Sequence, residues 1–178
     1  NAALVTEIAG VLGVNWQTTE EKMKTFRGVP GRMEMIHSVE QGGGKQHFSI
    51  VIDYAHTPDS LAGLYRFLRA KLENTNPSGR LICVLGSAGG GRDKWKRPEL
   101  GKIANTYCDE VVLTTEDPYD EDPDVIMSEI AQGISQRPYI KVEARRNAIR
   151  RALDVAKSGD IVVMTGKGSE MWMHLEDG

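Results

Sequence analysis

A short polar cluster that follows an apolar run is the first candidate for chemistry in this sequence. The apolar run around Val51 ends at Asp53, and three more polar side chains follow closely: His56, Thr57 and Asp59. Their carboxylate, imidazole and hydroxyl groups offer charge and hydrogen bonds to a polar ligand. Because ligands of open α/β folds bind at the carboxyl ends of strands, a strand that ends here predicts a binding site.

Helix capping is the alternative interpretation of the same segment. Thr57 suits the N-cap position, Pro58 the first helical position, and Asp59 the positive end of a helix. Capping does not account for Asp53 or His56, and we therefore predict a functional role for these two residues.

A glycine-rich and basic loop is the second candidate. It runs from position 86 to position 98 and contains four glycines and four cations, Arg92, Lys94, Lys96 and Arg97. Glycines let backbone N–H groups approach an anion, and arginine can grip a carboxylate or phosphate with two hydrogen bonds. The loop predicts an anion site, with a flexible solvated loop as the alternative. It matches neither the P-loop nor the dinucleotide fingerprint, because the spacings of both are absent.

Two further loops carry charge. Positions 116–122 are mostly acidic, and positions 165–170 place a lysine between two glycines before Glu170. The acids could bind an ammonium group or a metal, although charge runs are usually solvated faces. The last loop could be a tight turn, or Glu170 could complete a pocket for a zwitterion. Both signs of charge at the strand ends suit an amino acid, with a phosphate nearby. The remaining histidines lack the spacing of metal ligands and are expected at surface or hairpin positions: His37, His47 and His174.

The elements that must position these loops alternate along the chain. The pattern predicts strands at 33–39, 47–53, 80–85, 110–115, 139–142 and 160–165, and helices at 58–72, from 98, from 123 and at 145–157. The first two strands form a hairpin around Gly42, Gly43 and Gly44. Single helices between the later strands indicate βαβ units. We predict an α/β, Rossmann-like three-layer domain whose mostly parallel sheet has one antiparallel edge strand.

Composition narrows the class of protein. Hydrophobic residues at 40% and charged residues at 26% predict a globular domain, and the net charge of -3 favours neither nucleic acid nor a membrane surface as partner. No apolar run is long enough to span a bilayer, and no signal peptide is recognisable. A cytoplasmic protein is therefore expected, with Cys83 and Cys108 as buried thiols rather than a disulfide.

The first 28 residues form a separate unit in the sequence pattern. They predict two short helices, too small to bury a core of their own, before the linker Val29-Pro30-Gly31. We therefore expect the chain to be a piece of a larger protein, with the first helices belonging to a preceding domain.

Several motifs, taken together and in this order, resemble the C-terminal part of the Mur ligases. Each motif alone is weak, whereas the ordered set is specific and runs from about Val29 to Glu170. The motifs are Val29-Pro30-Gly31-Arg32-Met33-Glu34, Asp53-Tyr54-Ala55-His56-Thr57-Pro58-Asp59, Gly90-Gly91-Arg92-Asp93, Lys96-Arg97-Pro98, and Gly166-Lys167-Gly168 with Glu170.

The resemblance implies a three-domain, monomeric, cytoplasmic ligase that uses ATP and Mg²⁺. Its members of this type add the third amino acid, a diamino acid, to UDP-MurNAc-L-Ala-D-Glu through an acyl phosphate. Residues 1–28 then correspond to the end of the central ATPase domain with its linker, and residues 29–178 to the amino-acid-binding domain. The P-loop and the magnesium ligands belong to the central domain, so this piece alone is expected to be inactive.

The resemblance also implies roles for individual residues. It places Arg32, Asp53 and His56 at ATP. It places eight residues at the incoming amino acid: Thr57, Arg92, Glu116, Asp117, Pro118, Tyr119, Gly166 and Glu170. It implies no metal ligand and no confident catalytic residue in this part.

Three positions depart from the family pattern. Members that use diaminopimelate carry an arginine where this chain has Tyr119, and a tyrosine cannot supply a positive bidentate fork. The surrounding acids suit a distal ammonium, such as that of lysine. Ser169 replaces a histidine, and the glycine loop is about one residue longer than usual.

Three alternatives remain at this point. Folylpolyglutamate synthase and cyanophycin synthetase share this kind of domain, although the string around His56 favours peptidoglycan synthesis. A regulatory nucleotide-binding module is the second alternative, and the absence of the dinucleotide fingerprint argues against it. A pure interaction domain would not need charged loops at four strand ends.

Overall fold

A helical pair precedes the α/β domain. The computed structural model describes residues 2–36, 48–91 and 93–175. Helix α1 (Ala2–Val11) and helix α2 (Trp16–Thr25) contact each other, and the Asn15 side chain caps α2 by accepting a 2.8 Å hydrogen bond from the Thr18 backbone N–H. Both predicted helices are confirmed. Their apolar side chains remain largely exposed, among them Leu4, Ile8, Val11, Leu12, Trp16 and Phe26.

The sheet has six strands in the order β1-β2-β6-β3-β4-β5. The edge strand β1 pairs antiparallel with β2, and every other pair is parallel. The predicted mostly parallel sheet with one antiparallel edge strand is therefore confirmed. The strands are β1 (Glu34–Ile36), β2 (Ser49–Ile52), β3 (Leu81–Leu85), β4 (Glu110–Leu113), β5 (Tyr139–Lys141) and β6 (Ile161–Met164). The predicted turn at Gly42–Gly44, together with His37 and His47, lies outside the described residues.

Helices cover both faces of the sheet. Helices α3 (Pro58–Thr75), α4 (Lys96–Tyr107) and α5 (Pro123–Ala131) pack on one face, and helix α6 (Arg145–Val155) packs on the other. Successive strand residues point to opposite faces. In β3, Leu81, Cys83 and Leu85 therefore join the core under α3–α5, while Ile82 and Val84 join the core under α6. The three-layer prediction is confirmed. Within the described residues, no helix is both long and apolar enough to cross a membrane.

Proline and capping residues set the helix starts. Thr57 caps α3 in a reciprocal capping box with Ser60, and Asp122 caps α5. Pro98 is the third residue of α4 rather than its start, so the predicted boundary is two residues late. The first helical N–H groups have no partner inside the helix, and a proline is therefore tolerated anywhere in this first turn.

The cysteine prediction is half wrong. Cys83 in β3 and Cys108 at the end of α4 are both fully buried, as expected, but they form a disulfide. Their Cα atoms lie 6.2 Å apart because α4 packs directly on the face of the sheet that carries Cys83. A distance within disulfide reach depends on this packing, which spacing along the sequence does not reveal.

Candidate functional site

Four loops meet at one edge of the sheet. Strands β2, β6, β3 and β4 are neighbours, and their carboxyl ends point the same way because they are parallel. The loops that follow them surround a cavity of about 170 Å³. Six residues predicted from the sequence line it: His56, Glu116, Asp117, Tyr119, Gly166 and Glu170.

Asp53 connects the start of the domain to the end of β2. Its carboxylate accepts hydrogen bonds from the backbone N–H groups of Met33 (2.7 Å) and Ala55 (2.8 Å). Nearby, Gly31 packs so closely on the loop after β6 that a Cβ there would overlap the backbone of Ser169. Asp53 thus has a clear local role, and its predicted contact with ATP stays a prediction.

Tyr54 lies between the other two residues predicted at ATP. The Arg32 guanidinium stands 4.2 Å from the Tyr54 ring centre, and the His56 ring meets it edge-on at 4.9 Å. Hydrogen bonding to Glu170 and partial burial raise the pKa of the Tyr54 hydroxyl. Arg32 and His56 are exposed, so they form an open rim that offers a cation and an imidazole to a ligand.

The glycine loop differs from its prediction. Arg97 is fully buried, and its guanidinium pairs with Glu121 at 3.0 Å and with Glu129 at 2.6 Å. Lys94 also pairs with Glu121, at 2.8 Å. The prediction that Arg97 adds charge to an anion site is therefore wrong, because Arg97 is buried and paired with internal carboxylates. The predicted contribution of Lys94, whose side chain is half exposed, stays a prediction. Lys96 lines the cavity, and Arg92 lies outside the described residues.

The glycines of this loop pack against the acidic loop. The Gly89 N–H donates a 2.8 Å hydrogen bond to the Asp117 carbonyl, and a Cβ on Gly89 would overlap the Pro118 carbonyl. Gly90 faces the ring of Tyr119. The glycines thus permit the close approach of two loops. This packing is a reason for their presence that differs from the predicted binding of an anion.

Glu116 is a buried carboxylate at the floor of the cavity. It is 6% exposed, and its Oε2 atom has no hydrogen-bond partner among the described residues. Gly166 packs directly on this oxygen, and Gly86 packs on the side-chain stem. Burial raises the pKa of Glu116, and the positive charge of Arg145, followed by that of His56, opposes the rise. An unpaired buried carboxylate is costly, and a ligand that brings a hydrogen-bonded cation would relieve this cost.

Lys167 joins two other acids of the site. Its ammonium contacts the Asp117 carboxylate oxygens at 2.7 and 2.8 Å and the Glu170 carboxylate at 2.7 Å. Burial alone would raise the pKa of Asp117, but hydrogen bonds from Lys167 and from the His174 backbone N–H outweigh it and lower that pKa. Lys167, followed by Tyr54, lowers the pKa of Glu170. Both acids therefore already hold a cation, whereas Glu116 forms no ion pair with any of the described residues.

The segment after β6 returns to the acidic loop. The Tyr119 ring stacks on the His174 ring at 5.3 Å, and the Tyr119 N–H donates to the His174 carbonyl at 3.1 Å. His174 is exposed, as predicted. In the part of the chain that the structure describes, no three His, Cys, Asp or Glu side chains group to hold a metal ion.

Two residues at or near the site were not among those predicted from the sequence. Tyr54 lines the cavity, whereas the prediction for its motif named only Asp53, His56 and Thr57. Arg145 begins α6 and donates a 2.7 Å hydrogen bond to the Thr165 carbonyl, and its positive charge opposes the rise in the pKa of Glu116 that burial causes. It follows the short edge strand β5, and only the packing of α6 brings it to the site. The Thr57 hydroxyl accepts from the Ser60 N–H as a cap, and its predicted amino-acid contact stays a prediction.

Glu121 should make the stability of the folded protein depend on pH. Hydrogen bonds from Arg97, then from Lys94, lower the pKa of Glu121 to about 2, whereas an unfolded glutamate titrates near ~4.3. The folded state binds fewer protons between these values, so stability is full above about pH 5 and falls as the pH approaches 2. We therefore expect that lowering the pH from about 6 to 3 reduces the melting temperature less in E121Q than in the natural sequence. Thermal unfolding at each pH would measure the two losses. Equal losses would contradict the assignment.

The chain matches the family model described as Mur ligase, glutamate ligase domain, over residues 31–168. The chain belongs to the Mur ligase family. The matched range contains the loops after β2, β3 and β4 and the first part of the loop after β6, and the resemblance seen in the motifs is confirmed.

Curated relatives of this Mur ligase domain are longer proteins. The UDP-N-acetylmuramoyl-L-alanyl-D-glutamate–2,6-diaminopimelate ligase of Aquifex aeolicus is 44% identical over 149 residues, which are 83% of this chain and 28% of the relative. The enzyme of the same name from Clostridium botulinum is 39% identical, over 93% of this chain and 32% of the relative. The chain thus spans about a third of the length of these relatives.

Solved structures agree with this placement. One of a UDP-N-acetylmuramoyl-L-alanyl-D-glutamate–2,6-diaminopimelate ligase superposes with a TM-score of 0.71 at 32% identity, over 97% of this chain and 33% of that one. A bifunctional folylpolyglutamate synthase/dihydrofolate synthase from Yersinia pestis reaches a TM-score of 0.56 at 18% identity, over 78% of this chain and 29% of that one. The second likeness is one of fold alone.

Proposed function

We propose that residues 29–178 are the amino-acid-binding domain of an ATP-dependent ligase that acts in peptidoglycan synthesis. The reaction would join a diamino acid to UDP-MurNAc-L-Ala-D-Glu through an acyl phosphate. The observation that carries the proposal is Glu116, a buried carboxylate that lines the cavity with Lys96 and whose Oε2 atom has no hydrogen-bond partner in the described part of the chain. The similarity to relatives named as ligases of this kind supports it.

The cavity can orient an amino acid by its two charges. Glu116 offers an acceptor to an ammonium group, and Lys96 offers a cation to a carboxylate. Arg92 is proposed as a second carboxylate ligand. With one ammonium group held at the floor by Glu116, the second amino group of a diamino acid would face the open side of the cavity, where an activated acyl group could be presented.

ATP and Mg²⁺ are proposed to bind mainly through parts of the protein beyond this chain. When bound, they supply the phosphoryl group and neutralise its charge. The rim of Arg32, Tyr54 and His56 fits a nucleotide, since it combines a cation, an aromatic face and an imidazole. Residues 1–28 are proposed to belong to the preceding domain, and their exposed apolar side chains support this. Because ATP and UDP-linked substrates are cytoplasmic, we propose a cytoplasmic protein, and we propose a monomer because the family resemblance implies one.

The charges around the cavity favour a substrate with an extra ammonium group. Four acids line it, Asp93, Glu116, Asp117 and Glu170, whereas Lys96 is the only lysine or arginine among the described lining residues. Lys167 neutralises part of the excess by binding two of the acids. The excess that remains suits the distal ammonium of lysine, and Tyr119 brings no cation for the distal carboxylate of diaminopimelate.

Ligation by the full-length protein tests this proposal. We expect ATP-dependent joining of lysine to UDP-MurNAc-L-Ala-D-Glu, with lysine preferred over diaminopimelate. Product would be followed by chromatography, with residues 1–178 alone as a control that releases no phosphate. A preference for diaminopimelate would refute the assigned specificity, and no ligation with any amino acid would refute the proposed function.

A further inference from the structure

A buried ion cluster connects the two loops that form one side of the cavity. Arg97 is the second residue of α4, where the glycine loop enters that helix, and Glu121 lies in the acidic loop just before the cap of α5. The Arg97 guanidinium contacts both carboxylate oxygens of Glu121, at 3.0 and 3.2 Å, and donates to the Ala88 carbonyl at 3.1 Å. One side chain therefore binds both loops at once.

Glu121 completes the connection from the other side. Its Oε1 atom accepts a 2.7 Å hydrogen bond from the Gly91 N–H, and its Oε2 atom pairs with Lys94. The glycine loop thus contacts the Glu121 carboxylate at Gly91, Lys94 and Arg97. The bonds between Arg97 and Glu121 are shielded from water, because Arg97 is fully buried, and such charge-assisted bonds hold geometry better than exposed pairs do.

The positions held by this cluster are those that line the cavity. Ala88 and Gly89 line it from the glycine loop, and Asp117 and Tyr119 line it from the acidic loop. The backbone contact between Gly89 and Asp117 depends on the spacing of the two loops. A shift of either loop would therefore change the distance between the groups that meet the ligand.

We propose that Arg97 and Glu121 are positioning residues, which hold the glycine loop and the acidic loop as one unit and so set the affinity of the cavity for the incoming amino acid. This inference rests on the proposed function. Neither side chain lines the cavity, so their effect passes through the loops.

The variant E121Q tests the inference with little change of shape. A glutamine replaces one carboxylate oxygen with an NH₂ group, which then faces donors rather than an acceptor. We expect the KM for the amino acid to rise about tenfold, with kcat and the KM for ATP nearly unchanged. In the same protein, amide hydrogen exchange across residues 86–95 should become faster.

The variant E129Q is the matched control. Glu129 binds the same Arg97 guanidinium at 2.6 Å, but in the structure it lies on α5 and not in either loop. We expect both KM values and the exchange of residues 86–95 to stay near those of the natural sequence. An equal rise of the amino-acid KM in both variants would overturn the inference, as would an unchanged KM in E121Q. If the natural protein shows no ligation, the proposed function fails, while the exchange comparison still decides whether Glu121 joins the loops.

Discussion

Replacement of Arg97 by methionine is expected to lower the free energy of unfolding by about 3–5 kcal/mol. The guanidinium is fully buried, and its removal leaves Glu121 and Glu129 without their shared partner. Because both carboxylates keep some exposure to water, we expect a value near the lower end of that range. Urea unfolding followed by circular dichroism would measure the change.

A matched pair on the same helix provides the control. Lys102 pairs with Glu99 at 2.7 Å, but both side chains are strongly exposed. Its replacement by methionine should change the free energy of unfolding by less than about 0.5 kcal/mol, since exposed pairs contribute little. If Lys102→Met and Arg97→Met destabilise equally, the buried cluster has no special role in stability.

Replacement of Gly166 by alanine is expected to reduce kcat/KM for the amino acid by about a hundredfold. The new Cβ would overlap the Glu116 carboxylate, and the backbone of Gly166, with φ of 97°, is one that alanine adopts only with strain. Glu116 would have to move, and the floor of the cavity would move with it. Steady-state kinetics of the full-length protein would measure the loss.

Gly63 offers the same substitution without these contacts. It lies inside α3, and nothing stands within 4 Å of the position where its Cβ would be. Gly63→Ala should raise stability by up to about 1 kcal/mol, because alanine favours helix, and should leave kcat/KM unchanged. A Gly166→Ala protein with natural kinetics would contradict the role assigned to the contact between Gly166 and Glu116.

The sequence allowed much of the fold to be predicted because its signals are local. Alternating strands and helices, with prolines in the first turns of three helices, indicate parallel strands. Parallel strands bring the loops that follow them to one edge, so Glu116, Gly166 and Glu170 could be expected to meet. The ordered motifs also indicated the family, and the match to the family model confirms it.

The partners of charged residues could not be predicted in this way. Arg97 stands in a run of basic residues that suggests solvent, yet Glu121 and Glu129, which lie 24 and 32 positions away, bury it. Lys167 meets Asp117 across 50 positions. Such pairs depend on how the loops pack after the sheet has formed, and no short pattern records that packing. The same reason explains the missed bond between Cys83 and Cys108.

The tight contact of Gly31 with the loop after β6 makes the entrance of the domain a mechanical linkage. Gly31 rests on Gly168 and Ser169, and two residues later the Met33 N–H is bound by Asp53. The entering chain is thus fixed at two points, at Gly31 and at Met33. A displacement of the chain before Val29 would therefore be transmitted through these contacts to the backbone that carries Gly166 and Glu170.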